Sequence, residues 1–351
     1  MSKVKLKDLC FEIIQKCPNN CKFCSSNANY SRTNIIKFDD FKRTVEYLYN
    51  RFGIDEISIS GGEPFLHPDL FRMIEYCKSL GIRTILFTSG VKRSSKFTQD
   101  EIDYLDSMRK NDLEKVDSDD ERVINSINKY YDNFLKPSEF SCISKEEFLR
   151  LREIGLDGIV FDYQADDCDI DNYLMGRSEV IRCLEDRSLY NASAVGLNID
   201  IHFVPMKPNY REITSILETI EILKIPKISI LKFVPQGRGK DNKEELLLSD
   251  EELLEFNKLV ENSRYLYSGN IRISNSFDGV HECNAGKSKA DIRYDGVILP
   301  CAAFKDTKVC DLCGIKYFSI YDDLSELEFT GEKRGYSLCK YAYSKVRDDL
   351  H

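Results

Sequence analysis

The feature that most constrains this chain is a run of three cysteines within eight residues, Cys17-Pro18-Asn19-Asn20-Cys21-Lys22-Phe23-Cys24. The run follows an apolar stretch, residues 9–14, that predicts a strand delivering Cys17 at its carboxyl end. Three thiols cannot pair into disulfides without a leftover, and soft thiolates this close together suit zinc or an iron–sulfur cluster. Closed zinc sites take four ligands, and no histidine or fourth cysteine stands nearby. The spacing therefore favours a cluster with one open iron over a zinc knuckle.

The overall charge excludes one class of partner. The 351 residues carry a formal net charge of −9, so no basic excess exists to neutralise phosphates, and a nucleic acid is not expected as the principal partner. Residues 1–8 are charged and Glu12 interrupts the first apolar run, which predicts neither a signal peptide nor a membrane span. We expect a cytoplasmic protein. In a reducing compartment its 13 cysteines indicate metal ligation rather than disulfides.

Strand and helix patterns alternate along most of the chain. Helical spacing with plausible caps separates apolar runs, and this βα rhythm implies a parallel sheet with its chemistry at the carboxyl ends of the strands. The sequence predicts six such strands, at residues 9–14, 57–60, 83–88, 158–163, 198–204 and 227–233.

The rhythm breaks at residues 98–141, which we interpret as an insertion. Thr98 with Glu101 and Ser118 with Glu121 fit capping boxes, so the insertion is expected to be helical and without strands. It holds twelve Asp or Glu against six Lys or Arg, a net −6. Its acidic surface is either a solvated cover or a contact surface for a partner or substrate, and charge runs usually face water.

A second motif, Gly61-Gly62-Glu63-Pro64, follows the second predicted strand. Glycines let backbone approach a ligand closely, and a carboxylate or carbonyl can accept hydrogen bonds from an ammonium group. Together with C-x3-C-x2-C and Phe23 before the last cysteine, this motif resembles the radical S-adenosylmethionine (SAM) enzymes.

The resemblance implies an α/β fold, a partial (β/α)6 TIM-like barrel. It implies a [4Fe–4S] cluster on Cys17, Cys21 and Cys24, whose open iron binds the amino and carboxylate groups of SAM. The loop from Gly61 to Pro64 would hold the amino group.

Four further residues are cofactor contacts by position in the same resemblance. Ser89 stands where many relatives carry an asparagine before glycine, and Val234 follows the sixth strand, where relatives cradle the adenine. Gln164 and Arg177 lie in the stretch that in relatives receives the carboxylate of SAM. A guanidinium suits a carboxylate, but Arg177 fits a surface salt bridge equally well.

The tail carries a second set of cysteines. Cys283 and Cys301 flank a predicted hairpin that turns at Asp295-Gly296, which would fold the two thiols toward each other. The spacing resembles the SPASM and twitch extensions, which bind auxiliary iron–sulfur clusters. The five tail cysteines allow one four-ligand auxiliary cluster, [4Fe–4S] or another type, with one thiol spare, and the alternative is a zinc ribbon. They are Cys283, Cys301, Cys310, Cys313 and Cys339.

These patterns predict that the chain is organised into three regions. Residues 1–239 form the barrel, residues 240–270 a linker and helix, and residues 271–351 a small cysteine-rich β-hairpin subdomain of the SPASM or twitch type.

By resemblance, the chain is an oxidoreductase or modifying enzyme. An electron donor of the flavodoxin or ferredoxin type would drive reductive cleavage of SAM, and the resulting 5′-deoxyadenosyl radical would take hydrogen from the substrate. The family favours a peptide or protein substrate. The short stretch before Cys17 predicts no N-terminal peptide-recognition domain, which instead favours a small-molecule dehydrogenase or rearranging enzyme acting on a nucleotide, sugar or amino acid. A zinc-binding interaction protein is the second alternative.

Overall fold

The computed structural model describes residues 5–93, 99–116, 120–135, 140–274, 284–305 and 318–327. Over these ranges the chain adopts an α/β fold around one mostly parallel sheet of ten strands, with a separate two-stranded sheet beside it. The order of strands in the large sheet is β12-β11-β10-β1-β2-β3-β6-β7-β8-β9. The described strands are β1 (Asp8–Ile14), β2 (Glu56–Gly61), β3 (Arg83–Thr88), β4 (Val91–Arg93), β5 (Phe140–Cys142), β6 (Gly158–Asp162), β7 (Ile199–Phe203), β8 (Lys227–Ile230), β9 (Asn270–Ile273), β10 (Lys289–Ile292), β11 (Val297–Leu299) and β12 (Phe318–Ser319).

Helices follow most of these strands and cover one face of the sheet. Those in the described ranges are α1 (Phe38–Phe52), α2 (Leu70–Ser79), α3 (Gln99–Glu114), α4 (Glu121–Leu135), α5 (Lys145–Ile154), α6 (Cys168–Met175), α7 (Glu179–Ala194), α8 (Ile213–Ile222), α9 (Arg238–Asp241), α10 (Lys243–Leu246) and α11 (Asp250–Ser263). None of them combines the length and apolar character that crossing a membrane requires.

The six predicted strands are confirmed as β1, β2, β3, β6, β7 and β8, which are adjacent and parallel. Their side chains alternate between two environments, as the pleat requires. In β1, Phe11 is fully buried and packs on Phe41 of α1, with ring centroids 4.8 Å apart. The neighbouring residues point to the opposite face, which we call the polar face. Its members include Cys10, Glu12, Ser58, Asp162, Asp200, His202 and Asp291.

The predicted hairpin at Asp295-Gly296 is present, because β10 and β11 pair antiparallel on either side of it. It also continues the main sheet, since β10 pairs parallel with β1 and aligns Asp291 with Cys10. At the other edge β9, which we did not predict, pairs parallel with β8. The sheet therefore crosses the proposed boundaries at residues 240–271, and the division into domains stays a prediction.

The insertion is helical as predicted, with α3 and α4 packed together, and Arg109 of α3 donates to Asn128 of α4 at 2.7 and 2.9 Å. The expectation that it contains no strand is wrong at its end, where β5 pairs with β4, which precedes the insertion. Single-sequence patterns do not reveal such a three-residue pairing. The proposed caps Thr98 and Ser118 lie outside the described residues.

The sequence also predicts a capping box of Ser144 with Glu147 and a helix cap at Asp39, and the two predictions have different outcomes. The capping box of Ser144 and Glu147 is present at the start of α5. Helix α1, however, begins at Phe38 after Lys37, so Asp39 does not cap it. Asp39 lies in the first helical turn, where its charge favours the helix dipole instead. Helices α6 and α7 were not predicted.

Candidate cofactor site at the carboxyl edge of the sheet

The predicted site residues of the first 239 positions gather at one edge of the sheet. They all follow the carboxyl ends of parallel strands, and the centre of the group is the segment after β1, residues 16–26, which we call the cysteine loop. Three other segments contact this loop through its backbone. These are the turn after β2, the end of α6 and the start of α9.

The turn after β2 approaches the loop so closely that only glycine fits. Gly62 N–H donates to the carbonyl of Ile14 at 2.6 Å, and Glu63 N–H donates to that of Lys16 at 2.8 Å. A Cβ at Gly62 would lie 2.2 Å from the Lys16 carbonyl oxygen, and one at Gly61 would lie equally close to that of Ile14. The two glycines thus allow β2 to fix the start of the cysteine loop.

The end of α6 supports the middle of the loop. Asn20 N–H donates to the Met175 carbonyl at 3.1 Å, and the Cys21 Sγ lies 3.7 Å from the Met175 Sδ. Gly176 ends the helix in the left-handed conformation, with φ of 57°, and a Cβ there would lie 2.4 Å from the Asn20 carbonyl oxygen. A side chain at position 176 would therefore displace the loop.

Arg238, the first residue of α9, binds the last part of the loop. Its Nε donates to the Cys21 carbonyl at 2.9 Å, its Nη2 to the Ala28 carbonyl at 2.6 Å, and its backbone N–H to the Cys24 carbonyl at 3.0 Å. The preceding Gly237 is again a close approach, because a Cβ there would lie 2.7 Å from the Cys24 carbonyl oxygen. One arginine thus binds two carbonyls of the loop and one that follows it by two residues.

Glu63 holds the ends of β2 and β3 together. Its buried carboxylate accepts hydrogen bonds from the Phe65 N–H at 2.9 Å, the Thr88 hydroxyl at 2.8 Å, and both the N–H and the hydroxyl of Ser89 at 2.6 Å. Pro64 begins the short 3₁₀ turn that follows. Burial raises the pKa of Glu63, and these hydrogen bonds oppose that rise. The carboxylate is therefore occupied by protein donors and positions Ser89.

Arg177 is buried, so the surface salt bridge considered from the sequence is wrong. Its guanidinium forms ion pairs with Asp171 and Glu185, and Glu185 also accepts a hydrogen bond from the Asn19 Nδ2 at 2.7 Å. Among the described residues, the Arg177 Nε has no hydrogen-bond partner although it is buried. This unpaired donor beside the cysteine loop fits an anionic group of a ligand.

The remaining predicted contacts are placed at the same edge. Phe23 packs on a small apolar cluster that includes Phe233, which directly precedes the partly buried Val234. Gln164 spans β6 and β7. Its Nε2 donates to the His202 carbonyl at 3.2 Å, and its Oε1 accepts from the Val204 N–H at 3.0 Å. The roles of these residues toward a cofactor stay predictions.

The surroundings of the loop act in two directions on the charge of its thiols. Burial raises the pKa of the Cys17 thiol. Burial, followed by a neighbouring thiol and the Asp162 carboxylate, also raises the pKa of Cys21, and the guanidinium groups of Arg177 and Arg238 oppose that rise. Because metal ligation requires thiolates, the two cations favour the ligating form.

Asp162 belongs to the site but was not singled out from the sequence as a site residue. Its side chain is open to solvent at the end of β6, yet enough protein surrounds it that burial raises its pKa to about 6, with Arg177 opposing the rise. A strand ending in aspartate is too common to single out. Proximity to Cys21 is what makes it notable.

Within the described ranges, no three His, Cys, Asp or Glu side chains converge closely enough to hold one metal ion. The preference for an iron–sulfur cluster over zinc rests on the spacing of the cysteines and stays a prediction.

For the tail, the structure describes Cys301 alone among the predicted ligands. Cys301 follows β11, and its charged form would lie near the Lys289 ammonium of β10. The other four, Cys283, Cys310, Cys313 and Cys339, lie outside the described residues.

Comparison with known protein families finds a match over the part of the chain that contains most of this site. Residues 11–136 match the Radical SAM superfamily model, and this segment contains the cysteine loop, the Gly61–Pro64 turn and Ser89. The match covers 126 of the 351 residues, a little over a third of the chain. That superfamily implies a [4Fe–4S] cluster and SAM, and the match supports a SAM-dependent enzyme.

Curated relatives of the radical SAM domain are distant. The chain is 22% identical over 269 residues to Fe-coproporphyrin III synthase of Methanosarcina barkeri, covering 76% of this chain and 54% of that protein. It is 32% identical over 81 residues to the PqqA peptide cyclase of Rhodopseudomonas palustris, covering 23% of this chain and 21% of the cyclase. The chain thus spans about half or less of these relatives.

Two solved structures share the fold. Streptococcus suis SuiB, bound to the precursor peptide SuiA, superposes with a TM-score of 0.62 at 18% identity, covering 93% of this chain and 65% of SuiB. The protein anSMEcpe with bound AdoMet gives a TM-score of 0.56 at 13% identity, covering 98% and 95%. The α/β fold with its mostly parallel sheet matches the fold of these two proteins.

Proposed function

We propose that this chain is a radical SAM enzyme that modifies a peptide or protein substrate. Cys17, Cys21 and Cys24 would hold the [4Fe–4S] cluster, and the Gly61–Pro64 turn, Ser89 and Arg177 would contact SAM. The observation that carries the proposal is the cysteine loop itself. Three segments distant in sequence fix its backbone through glycine contacts, and two guanidinium groups face the Cys21 thiol.

When bound, the cluster and SAM supply a 5′-deoxyadenosyl radical, and the protein holds and orients them. Glu63 fixes Ser89 at the edge of the site through hydrogen bonds of 2.6 Å. Arg177 presents its unpaired Nε, and the ion pairs with Asp171 and Glu185 prevent its side chain from turning away. A preorganised donor of this kind suits the SAM carboxylate.

Two comparisons support a peptide as the substrate. The fold neighbour SuiB is seen bound to a precursor peptide, and one curated relative is a PqqA peptide cyclase. We propose that the tail cysteines hold an auxiliary cluster that aids oxidation or substrate binding. An electron donor of the flavodoxin or ferredoxin type would reduce the first cluster.

A small molecule is the second candidate substrate. The relative aligned over 269 residues is a Fe-coproporphyrin III synthase, and another, 31% identical over 78 residues, is an S-adenosylmethionine-dependent nucleotide dehydratase of Selenomonas ruminantium. The zinc-binding alternative receives less support, because residues 11–136 match the Radical SAM superfamily model.

The first test concerns the cluster. Anaerobically reconstituted protein should be brown and should form 5′-deoxyadenosine from SAM with dithionite. Cys21→Ala should remove this activity and about four irons per chain. Cys168→Ala is the matched control, since Cys168 is an exposed cysteine of α6 outside the site, and it should behave as wild type. A colourless wild-type protein containing only zinc would overturn the proposal that this chain is a radical SAM enzyme.

The second test separates the substrate classes. A radical that abstracts hydrogen transfers it to 5′-deoxyadenosine, so substrate from cells grown in deuterated medium would label that product. Extract from such cells is divided by size into a peptide and protein fraction and a small-molecule fraction. Deuterium in 5′-deoxyadenosine from the first fraction supports a peptide or protein, and labelling from the second fraction alone would replace it with a small molecule.

A further inference from the structure

Lys305 joins two parts of the chain that are 279 residues apart. Its Nζ donates to the Glu12 Oε1 of β1 at 2.5 Å and to the Ser26 hydroxyl at 3.1 Å, and lies 3.5 Å from the Ser25 Oγ. Ser26 in turn donates to the same Glu12 oxygen at 2.5 Å. One ammonium group therefore binds both serines that directly follow Cys24.

This contact is buried and charged. The side chains of Lys305 and Glu12 are 9% and 1% exposed, and Asp291, also on the polar face, is fully buried. In the described structure, neither Asp291 oxygen has an N–H or O–H partner, and the Glu12 Oε2 has none. The Cys10 thiol is the weak donor beside Asp291. Lys305 is thus the counter-charge for two buried carboxylates.

Electrostatics agrees with this assignment. Burial alone lowers the pKa of the Lys305 ammonium, but Glu12 and then Asp291 outweigh it, so the pKa is raised above its ordinary value. The group stays charged at neutral pH.

The backbone of Lys305 is fixed from the tail side. The Arg293 Nη1 donates to the Lys305 carbonyl at 2.9 Å, and Arg293 is itself paired with Asp295 in the hairpin turn. Lys305 also lies four residues after Cys301, with only a 3₁₀ turn, Ala302–Phe304, between them. Its position therefore follows that of the hairpin and of the segment carrying Cys301.

We infer that Lys305 is a positioning residue for the Cys24 end of the cysteine loop, through which the tail segment after Cys301 acts on the first cluster. The inference rests on the proposed function, because it concerns the order of a loop that would hold that cluster. Without the ammonium, Glu12 and Asp291 would face each other as uncompensated buried charges, and Ser25 and Ser26 would lose their shared partner. The loop would then be free to shift where Cys24 is anchored.

The test compares Lys305→Met, Lys305→Arg and Lys78→Met. Lys78 is the matched control, because it makes a comparable part-buried pair with Asp157 at 2.5 Å near the opposite, amino-terminal end of the sheet. Two quantities are measured on reconstituted full-length protein. One is hydrogen exchange of the backbone amides of residues 24–28, and the other is the change that SAM produces in the EPR spectrum of the reduced cluster.

We expect exchange in Lys305→Met to be about tenfold faster or more at residues 24–28, and its EPR response to SAM to be altered. Lys305→Arg should restore both, and Lys78→Met should resemble wild type. Equal exchange and an equal EPR response in Lys305→Met and wild type would overturn the inference. If wild type itself showed no cluster signal that responds to SAM, the proposed function would fail instead.

A second pair keeps the test decisive should Lys305→Met not fold. In Glu12→Gln one of the two buried charges that Lys305 offsets is absent, and the amide oxygen that replaces the carboxylate can still accept from Ser26. Exchange at residues 24–28 in Glu12→Gln/Lys305→Met is compared with that in Glu12→Gln alone. Faster exchange in the double variant supports a direct hold on the serines, and no difference contradicts it.

Discussion

Backbone contacts hold the cysteine loop along its length, and its Cys24 end is also bound by charged side chains. Gly62 and Gly176 place other backbone segments against the first half of the loop, and Gly237 does the same at Cys24. At the Cys24 end, Arg238 and Lys305 add contacts from distant parts of the chain. The backbone contacts fix the position of the loop independently of pH and salt concentration. The contacts made by charged side chains also depend on whether their partners are present and ionised.

The two ends also differ in how their buried charges are balanced. Beside Asn19, Arg177 and Arg182 share Asp171, and each has a further acidic partner. Beside Ser26, Lys305 pairs with Glu12 and also offsets the charge of Asp291. In the first network each carboxylate has an arginine partner, although the Arg177 Nε is unpaired among the described residues. In the second, three carboxylate oxygens have no N–H or O–H partner within the described ranges, so it is the more sensitive of the two to a change in charge.

The largest expected effect comes from the backbone contacts. Gly176→Ala and Gly81→Ala both place a side chain in the left-handed region, with φ of 57° and 73°, at a shared cost of about 1–2 kcal/mol. Only Gly176 would also bring its Cβ within 2.4 Å of the loop, because nothing lies within 4 Å at Gly81. Gly176→Ala should lose most of the iron of the first cluster and Gly81→Ala should keep it, as measured by metal analysis and thermal unfolding. Equal iron in the two variants would show that the contact is dispensable.

A smaller loss of stability is expected when the charge network of Arg177 and Arg182 is broken. Glu185→Gln removes a buried partner of Arg177 and should lower the free energy of unfolding by about 2–4 kcal/mol. Glu179→Gln, on the same helix, breaks an exposed pair with Lys129 and should cost less than about 1 kcal/mol. Urea unfolding of the two apoproteins measures both. Similar losses would mean that the network near Asn19 is no stronger than a surface pair.

The smallest effect is the pH dependence of stability that comes from the charge network of Lys305, Glu12 and Asp291. Burial, with Lys305 opposing it and Glu12 adding to it, raises the pKa of Asp291 to about 6. A carboxyl whose folded pKa is raised destabilises the fold as pH rises from about 4 to about 6, and fully so above that. Asp291→Asn should therefore unfold at a higher temperature than wild type at pH 7, with the difference vanishing toward pH 4.

Asp295 provides a control of opposite sign in the same hairpin. Burial raises its pKa, but the hydrogen bond and charge of Arg293 outweigh this, so the net pKa is lowered. Asp295→Asn should be less stable than wild type at neutral pH, and that deficit should shrink as the pH falls. Parallel pH profiles for the two asparagine variants would contradict the assigned difference.

Much of the fold could be predicted from the chain alone. The six central strands, the helical insertion, the hairpin turn at Asp295-Gly296 and the capping box at Ser144 each depend on residues close in sequence. Elements that depend on pairing between distant segments were missed or misplaced. Strand β5 and the parallel pairing of β10 with β1 are examples, since a three- or four-residue strand gains its stability from its neighbour.

The same division holds for the candidate site. The thiol spacing and the Gly61–Pro64 turn mark the site by themselves, because few other chemistries use those residue types at those distances. Arg238 and Lys305 were not identified as loop contacts, since each acts from a position that the sequence does not connect to the cysteines. Glu12 did leave a signal. A carboxylate within an otherwise apolar strand predicts a buried partner, and that partner is Lys305.

By itself, then, the sequence determined the residue types that mark the candidate site: three thiols within eight residues, beside a glycine turn. Local chemistry depends on residue type and spacing, which the chain states directly. Only the tertiary structure decided what fixes that chemistry in place. Close backbone contacts and buried counter-charges arise between segments up to 293 residues apart, and they become favourable only once the sheet has brought those segments together.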